Sequence, residues 1–264
     1  MNENRPIGVF DSGVGGLTVA KEIKRLLPNE SIIYFGDTEH LPYGDKSKET
    51  ITRYSVKITK FLVKSKCKAI VVACNTATSN SIDEIRKAAG KIPVIDVISP
   101  VANKVAFELH QKIGLIATKA TVNSHAYKKS IKKLNKHIKV VELATPLLVP
   151  IIEEGFRNTA VSKNAIEVYL SYKKFEDIET IILGCTHYPL IEKEIYAAFK
   201  GKVKVVNSPL IVVNELIHRL EKDNLLSKSG QPSYHFYLSD YTDNFITLAK
   251  SFFGKSIHLE QKQL

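Results

Sequence analysis

The fold of this chain is indicated by two short segments that repeat one pattern, VVACNT at residues 71–76 and ILGCTH at residues 182–187. In each segment a short apolar run ends in a cysteine that is followed by two polar residues. Such runs are typical of buried parallel strands, and helix-like stretches follow both of them. We therefore predict Cys74 and Cys185 at the carboxyl ends of two strands, where open α/β sheets bind their ligands.

Two thiols that face one substrate can work as an acid/base pair. One removes a proton from one face, and the other donates a proton to the opposite face. A free cysteine is also among the most buried residue types and can simply fill space in a core. The matching contexts of Cys74 and Cys185 favour chemistry, because hydroxyl, amide and imidazole groups adjoin them. Cys67, in the segment SKCK, has no such neighbours and is given no role.

Strand-like and helix-like segments alternate along the chain, which is typical of parallel sheets covered by helices. Strand candidates lie at residues 7–10, 31–35, 69–73, 93–97, 112–117, 139–143, 180–183, 203–206 and 233–238. Because no Gly/Ser/Pro-rich linker interrupts this series, we predict two closely packed α/β lobes. The first lobe spans residues 1–98 and the second spans residues 99–206. Periodicity alone does not place residues 207–264.

Composition indicates a protein of the cytoplasm without disulfides. A chain of 264 residues can bury a sizeable core, and its three cysteines have neither a zinc spacing nor the pattern of a disulfide framework. No apolar stretch approaches the roughly 18 residues that span a membrane. We therefore expect no membrane partner.

The formal net charge of +11 raises nucleic-acid binding as an alternative. The densest basic segment covers residues 127–139, where Tyr127, Ile131, Leu134 and Ile138 recur at helical spacing. That spacing leaves the lysines on a solvated helix face. Since the segment contains no arginine and no interleaved aromatic side chains, we expect no specific nucleic-acid recognition, and weak polyanion binding is what remains of the alternative.

The segment DSGVGG at residues 11–16 follows the first strand directly. Its glycines allow tight turns and leave backbone N–H groups free to meet an anion near a helix start. It matches neither a P-loop nor a dinucleotide-binding motif. Asp11 and Ser12 can hold the ammonium and carboxylate groups of a ligand, or they can cap the helix, and the motif does not choose between these roles.

The residues beside the two cysteines can assist a thiol. Asn75, Thr76 and Thr186 can cap the helices that follow or donate hydrogen bonds to a carboxylate. His187 can share a proton with Cys185, and thiolate is the reactive form of cysteine. Asp11 can serve Cys74 in the same way.

Taken together, these segments resemble the glutamate racemases, members of the cofactor-independent aspartate/glutamate racemase superfamily. The resemblance rests on FDSGVGGL (10–17), YFGDT (34–38), PYG (42–44), ACNTA (73–77) and LGCTHYPL (183–190), in family order over most of the chain. It implies two pseudo-symmetric α/β lobes with the active site in the cleft between them. It also implies that the C-terminal segment, residues 207–264, returns to the first lobe.

The same resemblance implies roles for individual residues. Cys74 and Cys185 would be the acid/base thiols, assisted by Asp11 and His187 respectively, with Glu153 a further candidate near Cys185. The substrate contacts it implies are Asp11, Ser12, Tyr43, Gly44, Asn75, Thr76, Thr118, Thr121, Thr186 and His187. No cofactor and no metal are expected. The substrate would be glutamate, its product D-glutamate would feed peptidoglycan synthesis, and homodimers are common in the family.

Three other classes of protein share some of these features. A thiol–disulfide oxidoreductase would need the Cα atoms of its two cysteines closer than about 7 Å. A non-catalytic amino-acid-binding protein would bind glutamate without exchanging its α-proton. A polyanion-binding protein would lose affinity steeply as salt increases.

Overall fold

Two parallel β-sheets form the framework of the protein. The computed structural model describes residues 3–108, 111–228, 230–254 and 257–264. In these ranges the larger sheet contains the strands β1 (Ile7–Asp11), β2 (Ile32–Gly36), β3 (Ala69–Val72), β4 (Val94–Asp96), β9 (Tyr234–Leu238) and β10 (His258–Gln261). Their order across the sheet is β10-β9-β2-β1-β3-β4, and neighbouring strands run parallel.

A smaller parallel sheet is formed by the middle of the chain. Its strands within the described ranges are β5 (Lys112–Ala117), β6 (Lys139–Ala144), β7 (Thr180–Gly184) and β8 (Lys204–Val205). They lie in the order β6-β5-β7-β8, again all parallel. The predicted class, α/β with two parallel sheets, is therefore confirmed.

Helices occupy most of the connections between strands. The α-helices of the described ranges are α1 (Leu17–Leu26), α2 (Lys48–Lys64), α3 (Asn75–Ala89), α4 (Ser99–Ala106), α5 (Lys119–Ser124), α6 (Ala126–Leu134), α7 (Leu148–Glu153), α8 (Ala160–Leu170), α9 (Glu192–Ala198), α10 (Ser208–Lys222) and α11 (Asp243–Phe253). Short 3-10 helices cover Thr38–His40, Tyr43–Asp45, Lys173–Phe175 and Tyr188–Ile191. No helix of these ranges is long and apolar enough to cross a bilayer.

The central strands are buried along their whole length. Every residue of β1, β3 and β7 is buried, which explains why their sequences read as continuous apolar runs. Polar side chains lie at or just after the carboxyl ends of these strands. Asp11 ends β1, Cys74 follows β3 and Cys185 follows β7.

The last part of the chain pairs with the larger sheet. β9 lies beside β2, with Tyr234 aligned to Ile32, and β10 adds beyond β9. The helix α10 packs against α1 and α4. A strand pattern identifies a strand but not its neighbour, which is why periodicity could not place residues 207–264. The lobe boundaries at residues 98 and 206 stay predictions.

The lysine-rich helix is shorter than its apolar spacing predicts. It ends at Leu134, and Asn135 is already extended, with φ −143° and ψ 101°. The Asn135 side chain donates to the Ala106 carbonyl and accepts the His137 backbone N–H, which offers the backbone an alternative to the helix. The prediction that Ile138 continues the helical face is therefore wrong. Ile138 is nevertheless buried, just before β6.

A buried ion pair beside the larger sheet connects residues from three distant parts of the chain. Lys68, just before β3, lies 2.5 Å from the Glu30 carboxylate, and the side chains are 0% and 2% exposed. Lys68 also donates to the Glu3 carbonyl, and Glu30 accepts the backbone N–H of Ser227. Breaking one half of such a pair leaves an unpaired buried charge.

We expect Glu30→Ala to lower the free energy of unfolding by about 3–5 kcal/mol, because Lys68 is then buried without its partner. The double substitution Lys68→Met with Glu30→Leu should cost much less, since it removes both charges. Urea unfolding of the purified variants measures both values. Glu22→Ala, at an exposed pair with Arg25, is the control and should leave the midpoint unchanged. Equal losses in the single and double variants would contradict this account.

Candidate active site

Asp11 ends β1 and links the two sheets. Its fully buried carboxylate accepts the backbone N–H groups of Gly13 (3.2 Å) and Gly16 (2.8 Å) and the hydroxyl of Thr186 (3.2 Å). Thr186 follows β7 of the smaller sheet, so one carboxylate fixes the glycine loop and contacts both halves of the site. Burial raises the pKa of Asp11, although the charge of His187 and these hydrogen bonds act in the opposite direction.

The glycine loop lies so close to the residues that follow β7 that a side chain at position 15 would not fit. A Cβ atom on Gly15 would lie 2.7 Å from the backbone nitrogen of His187. On the other side of the site, a Cβ atom on Gly44 would lie 2.7 Å from the Cβ of Thr118. Both glycines therefore permit close approach of backbone from the larger-sheet half to residues that follow strands of the smaller sheet.

Cys74 is held at the start of α3 and is 3% exposed. Its Sγ atom accepts the backbone N–H of Ala77 (3.4 Å) and donates to the hydroxyl of Ser12 (3.5 Å). Of the two roles that Asn75 and Thr76 could have, capping this helix is contradicted, because the thiol itself is the cap. Burial, and then the charge of Asp11, raises the pKa of Cys74 to about 12.

Asp11 acts on Cys74 through its charge. The Asp11 carboxylate accepts hydrogen bonds from the glycine loop and from Thr186. The Cys74 thiol donates its hydrogen bond to the Ser12 hydroxyl instead. The charge of Asp11 raises the pKa of the Cys74 thiol, and the predicted assistance of Cys74 by Asp11 stays a prediction.

Cys185 begins a chain of three side chains. Its Sγ atom lies 3.6 Å from Nδ1 of His187, and Nε2 of His187 lies 2.5 Å from the Glu153 carboxylate at the end of α7. Burial alone would lower the pKa of His187, but the hydrogen bonds and charges of Cys185 and Glu153 raise it well above its ordinary value. For Glu153 the effect of burial is likewise outweighed, and its bonds with His187 and Asn244 lower its pKa.

Three threonine hydroxyls connect the two halves of the site. Thr76 of α3 lies 2.9 Å from Thr118 and 3.4 Å from Thr121, measured between Oγ1 atoms. Thr118 also caps α5 by accepting the backbone N–H of Thr121 (3.3 Å). The predicted contact residues at 118 and 121 thus lie beside the one at 76.

Tyr43 is fixed by a partner that sequence reasoning did not identify. Its buried hydroxyl donates to the Asp37 carboxylate (2.5 Å), which also contacts Nδ1 of His40 (2.7 Å). The signal for Asp37 was present, because it directly follows β2 and belongs to the segment YFGDT. Only the fold, however, aims its carboxylate at Tyr43.

Both thiols line one cleft between the strand ends of the two sheets. Ten predicted residues line it: Ser12, Tyr43, Gly44, Cys74, Asn75, Thr76, Thr118, Cys185, Thr186 and His187. Asp11 and Thr121 are fully buried behind this lining, and Glu153 lines a neighbouring cavity. Their roles stay predictions.

Several residues of the cleft wall were not predicted. They are Leu41, Asp45, Lys119, Thr145, Pro146, Val149 and Pro150, with Pro42 quoted in a motif but given no role. Thr145 could have been found, because it follows β6 in the same strand-then-hydroxyl pattern as Thr118. Val149 and Pro150 carry no such signal, since their positions follow from how α7 packs. Among the described residues, no cluster of three His, Cys, Asp or Glu side chains could hold a metal ion.

Two parallel α/β sheets with one cleft between their strand ends, lined by a thiol from each, are the architecture of an amino-acid racemase, an isomerase. Residues 7–216 match the family model for Asp/Glu/hydantoin racemases. The chain belongs to that family.

Proteins named glutamate racemases are similar to this chain over nearly its whole length. A glutamate racemase of Neisseria meningitidis is 42% identical over 259 residues, covering 97% of this chain and 96% of that protein. One of Geobacter metallireducens is 42% identical over 252 residues, covering 95% and 93%. The crystal structure of glutamate racemase from Francisella tularensis in complex with D-glutamate superposes with a TM-score of 0.93 at 40% identity, covering 99% of this chain and 98% of that one.

We expect Glu153→Gln to lower the pKa of His187, because the substitution removes the negative charge that the imidazole faces at 2.5 Å. An NMR titration of the His187 ring in the wild type and the variant measures the change. Glu142→Gln is the matched control, since Glu142 contacts the more exposed His125 at 2.7 Å and should leave His187 unchanged. An unmoved or higher midpoint in Glu153→Gln would contradict the assignment.

The same pair has a signature in stability. A raised His187 pKa contributes stability that is complete below the unfolded pKa and is lost as pH rises through the folded value. A lowered Glu153 pKa contributes stability that is complete above the unfolded pKa of that carboxyl group and is lost as pH falls through its folded pKa. The difference in unfolding free energy between the wild type and Glu153→Gln should therefore be largest between the ordinary pKa values of the two groups, 4.5 for Glu153 and 6.5 for His187, and shrink above and below that window.

Proposed function

We propose that this enzyme interconverts L- and D-glutamate, with Cys74 and Cys185 as its two acid/base groups. The observation that carries the proposal is the placement of one thiol from each half of the molecule on the same cleft. Cys74 follows β3 of the larger sheet, and Cys185 follows β7 of the smaller sheet. An α-carbon held between them would present opposite faces to the two sulfur atoms.

Each turnover requires one thiolate and one thiol. The thiolate takes the α-proton and becomes a thiol, and the electron pair left on the substrate is delocalised into its α-carboxylate. The other thiol then donates its proton to the opposite face and becomes the thiolate. No net oxidant, reductant or proton is consumed, and the two sulfurs have exchanged roles, so the enzyme is ready for the reverse reaction.

The two thiols have different surroundings. Burial raises the pKa of Cys74 to about 12, so this thiol resists deprotonation at neutral pH. The Cys185 sulfur lies 3.6 Å from Nδ1 of His187, an imidazole whose pKa is raised and which can accept a proton. In our assignment Cys185 takes the proton from L-glutamate and Cys74 takes it from D-glutamate.

Negative charge that develops on the substrate needs fixed donors. The hydroxyls of Ser12, Thr76 and Thr186 and the amide of Asn75 line the cleft near the thiols. Donors that are already in place stabilise developing charge without reorganising, which is the largest contribution in many enzymes. We assign these groups, together with Tyr43, Gly44, Thr118 and Thr121, to substrate binding.

Glutamate is favoured as the substrate by the relatives. Proteins about 40% identical over nearly their full length are named glutamate racemases, and one of them is solved with D-glutamate. We expect the D-glutamate formed to serve peptidoglycan synthesis in the cytoplasm, and we expect a homodimer.

Replacing either Cys74 or Cys185 by serine should reduce racemisation by about 10²- to 10⁴-fold, because a hydroxyl is a much weaker acid and base than a thiol at neutral pH. The assay follows optical rotation and α-deuterium together in D₂O. Wild-type product should carry deuterium while the remaining substrate largely does not. Binding of glutamate should persist in both variants.

Cys67→Ala is the control for these substitutions. Cys67 is buried away from the cleft, so its variant should keep wild-type turnover. Wild-type racemisation by Cys185→Ser, with Cys74→Ser inactive, would contradict the two-thiol assignment and point to His187 or Glu153 as the second base. Glutamate binding without α-proton exchange by the wild type would instead identify a non-catalytic binding protein.

Aspartate should be a poor substrate. It is one methylene shorter, so its side-chain carboxylate cannot reach the same donors while its α-carbon stays between the thiols. We expect kcat/KM for aspartate to be about 10- to 200-fold lower than for glutamate, the range that one methylene provides. Comparable values for the two amino acids would contradict the specificity.

A further inference from the structure

One buried hydroxyl, that of Tyr127, contacts a residue of the cleft wall. Tyr127 lies in α6, the lysine-rich helix of the smaller-sheet half, and is fully buried. Its hydroxyl donates to Oδ1 of Asn75, at 2.7 Å. Asn75 is the first residue of α3 in the larger-sheet half, directly after Cys74, and it lines the cleft. The bond therefore joins a helix of one half to the ligand side of the other.

The chemistry of this contact determines which end of the carboxamide faces the ligand. A phenol that donates its one hydrogen must bond to the oxygen of the amide, since the nitrogen has no free lone pair. The Nδ2 atom of Asn75 then remains, with two N–H donors, and it has no hydrogen-bond partner among the residues that the structure describes. A carboxamide turned the other way would present an acceptor, which repels a carboxylate.

We propose that Tyr127 is a positioning residue that holds the Asn75 carboxamide with its N–H donors toward the cleft, where they bind a carboxylate of the substrate. The inference rests on the proposed function, because it names what Asn75 contributes to glutamate binding. Tyr127 itself does not contact the substrate and acts through Asn75.

Two further observations support this role. Burial, and then the negative charge of Asp96, raises the pKa of Tyr127 above its ordinary value, so the phenol keeps its proton as a donor over the working pH range. In addition, α6 packs against α4, and Tyr127 belongs to the same buried core as Val101 and Val105 of α4. Rotating the amide would leave a buried donor facing a donor, and such a loss is costly.

The test is a double-mutant cycle on ligand binding. Tyr127→Phe keeps the ring and removes only the hydroxyl, and Asn75→Ala removes the carboxamide. Isothermal calorimetry with D-glutamate should give a Kd about tenfold weaker for Tyr127→Phe than for the wild type. On the Asn75→Ala background, Tyr127→Phe should cause no additional weakening, because its effect passes through the amide. Additive effects, or an unchanged Kd in Tyr127→Phe, would overturn the proposal.

A second variant tests the donor without altering the core. Asn75→Asp keeps an oxygen for Tyr127 but replaces the two N–H donors with a second oxygen. Its affinity for D-glutamate should fall at least as far as that of Asn75→Ala, and wild-type affinity would overturn the proposal. Circular dichroism melting of each variant identifies any that fails to fold.

Failure of the proposed function is distinguishable from failure of this inference. If the wild type neither binds nor racemises glutamate, the proposed function is wrong. If the wild type does both and Tyr127→Phe binds as tightly, only the role of Tyr127 is wrong. Equal fractional loss of kcat/KM in both directions is required of any racemase variant by the equilibrium, so the dissociation constant is the informative measurement.

Discussion

The site depends on the buried carboxylate of Asp11. It accepts two backbone N–H groups of the glycine loop and the hydroxyl of Thr186, so it fixes the end of β1 and the turn after β7 together. A buried carboxylate is tolerated only when such donors satisfy it. Gly15 and Gly44 also allow close contact between the two halves of the site, since a side chain at either position would clash with residues that follow strands of the smaller sheet.

The two thiols occupy matching positions in different environments. Cys74 caps a helix and contacts a hydroxyl, and burial raises its pKa. Cys185 faces an imidazole that Glu153 holds in place. In the mechanism we propose, this asymmetry allows one thiol to begin as the acid and the other as the base. The sequence repeats the thiol but varies its neighbours.

Much of the fold could be predicted because buried parallel strands are recognisable as short apolar runs. The strands before Cys74 and Cys185 lie where the pattern indicates, and polar side chains follow them. The lysine-rich helix was predicted too long, because a single asparagine, Asn135, competes for the backbone at its end. The partner of β9 could not be predicted, because strand pairing is a long-range choice that local periodicity does not contain.

The sequence by itself determined the class of fold and the positions of Cys74 and Cys185 with their polar neighbours, because each is a local pattern at a strand end. The resemblance to the glutamate racemases supplied the family and further residues of the cleft, such as Tyr43 and Gly44. Tertiary structure alone decided which side chains meet. Glu153 on His187, Asp37 on Tyr43 and Tyr127 on Asn75 join different secondary-structure elements, some far apart in the chain. Spacing gives no signal for such contacts, since they arise only when separate elements pack.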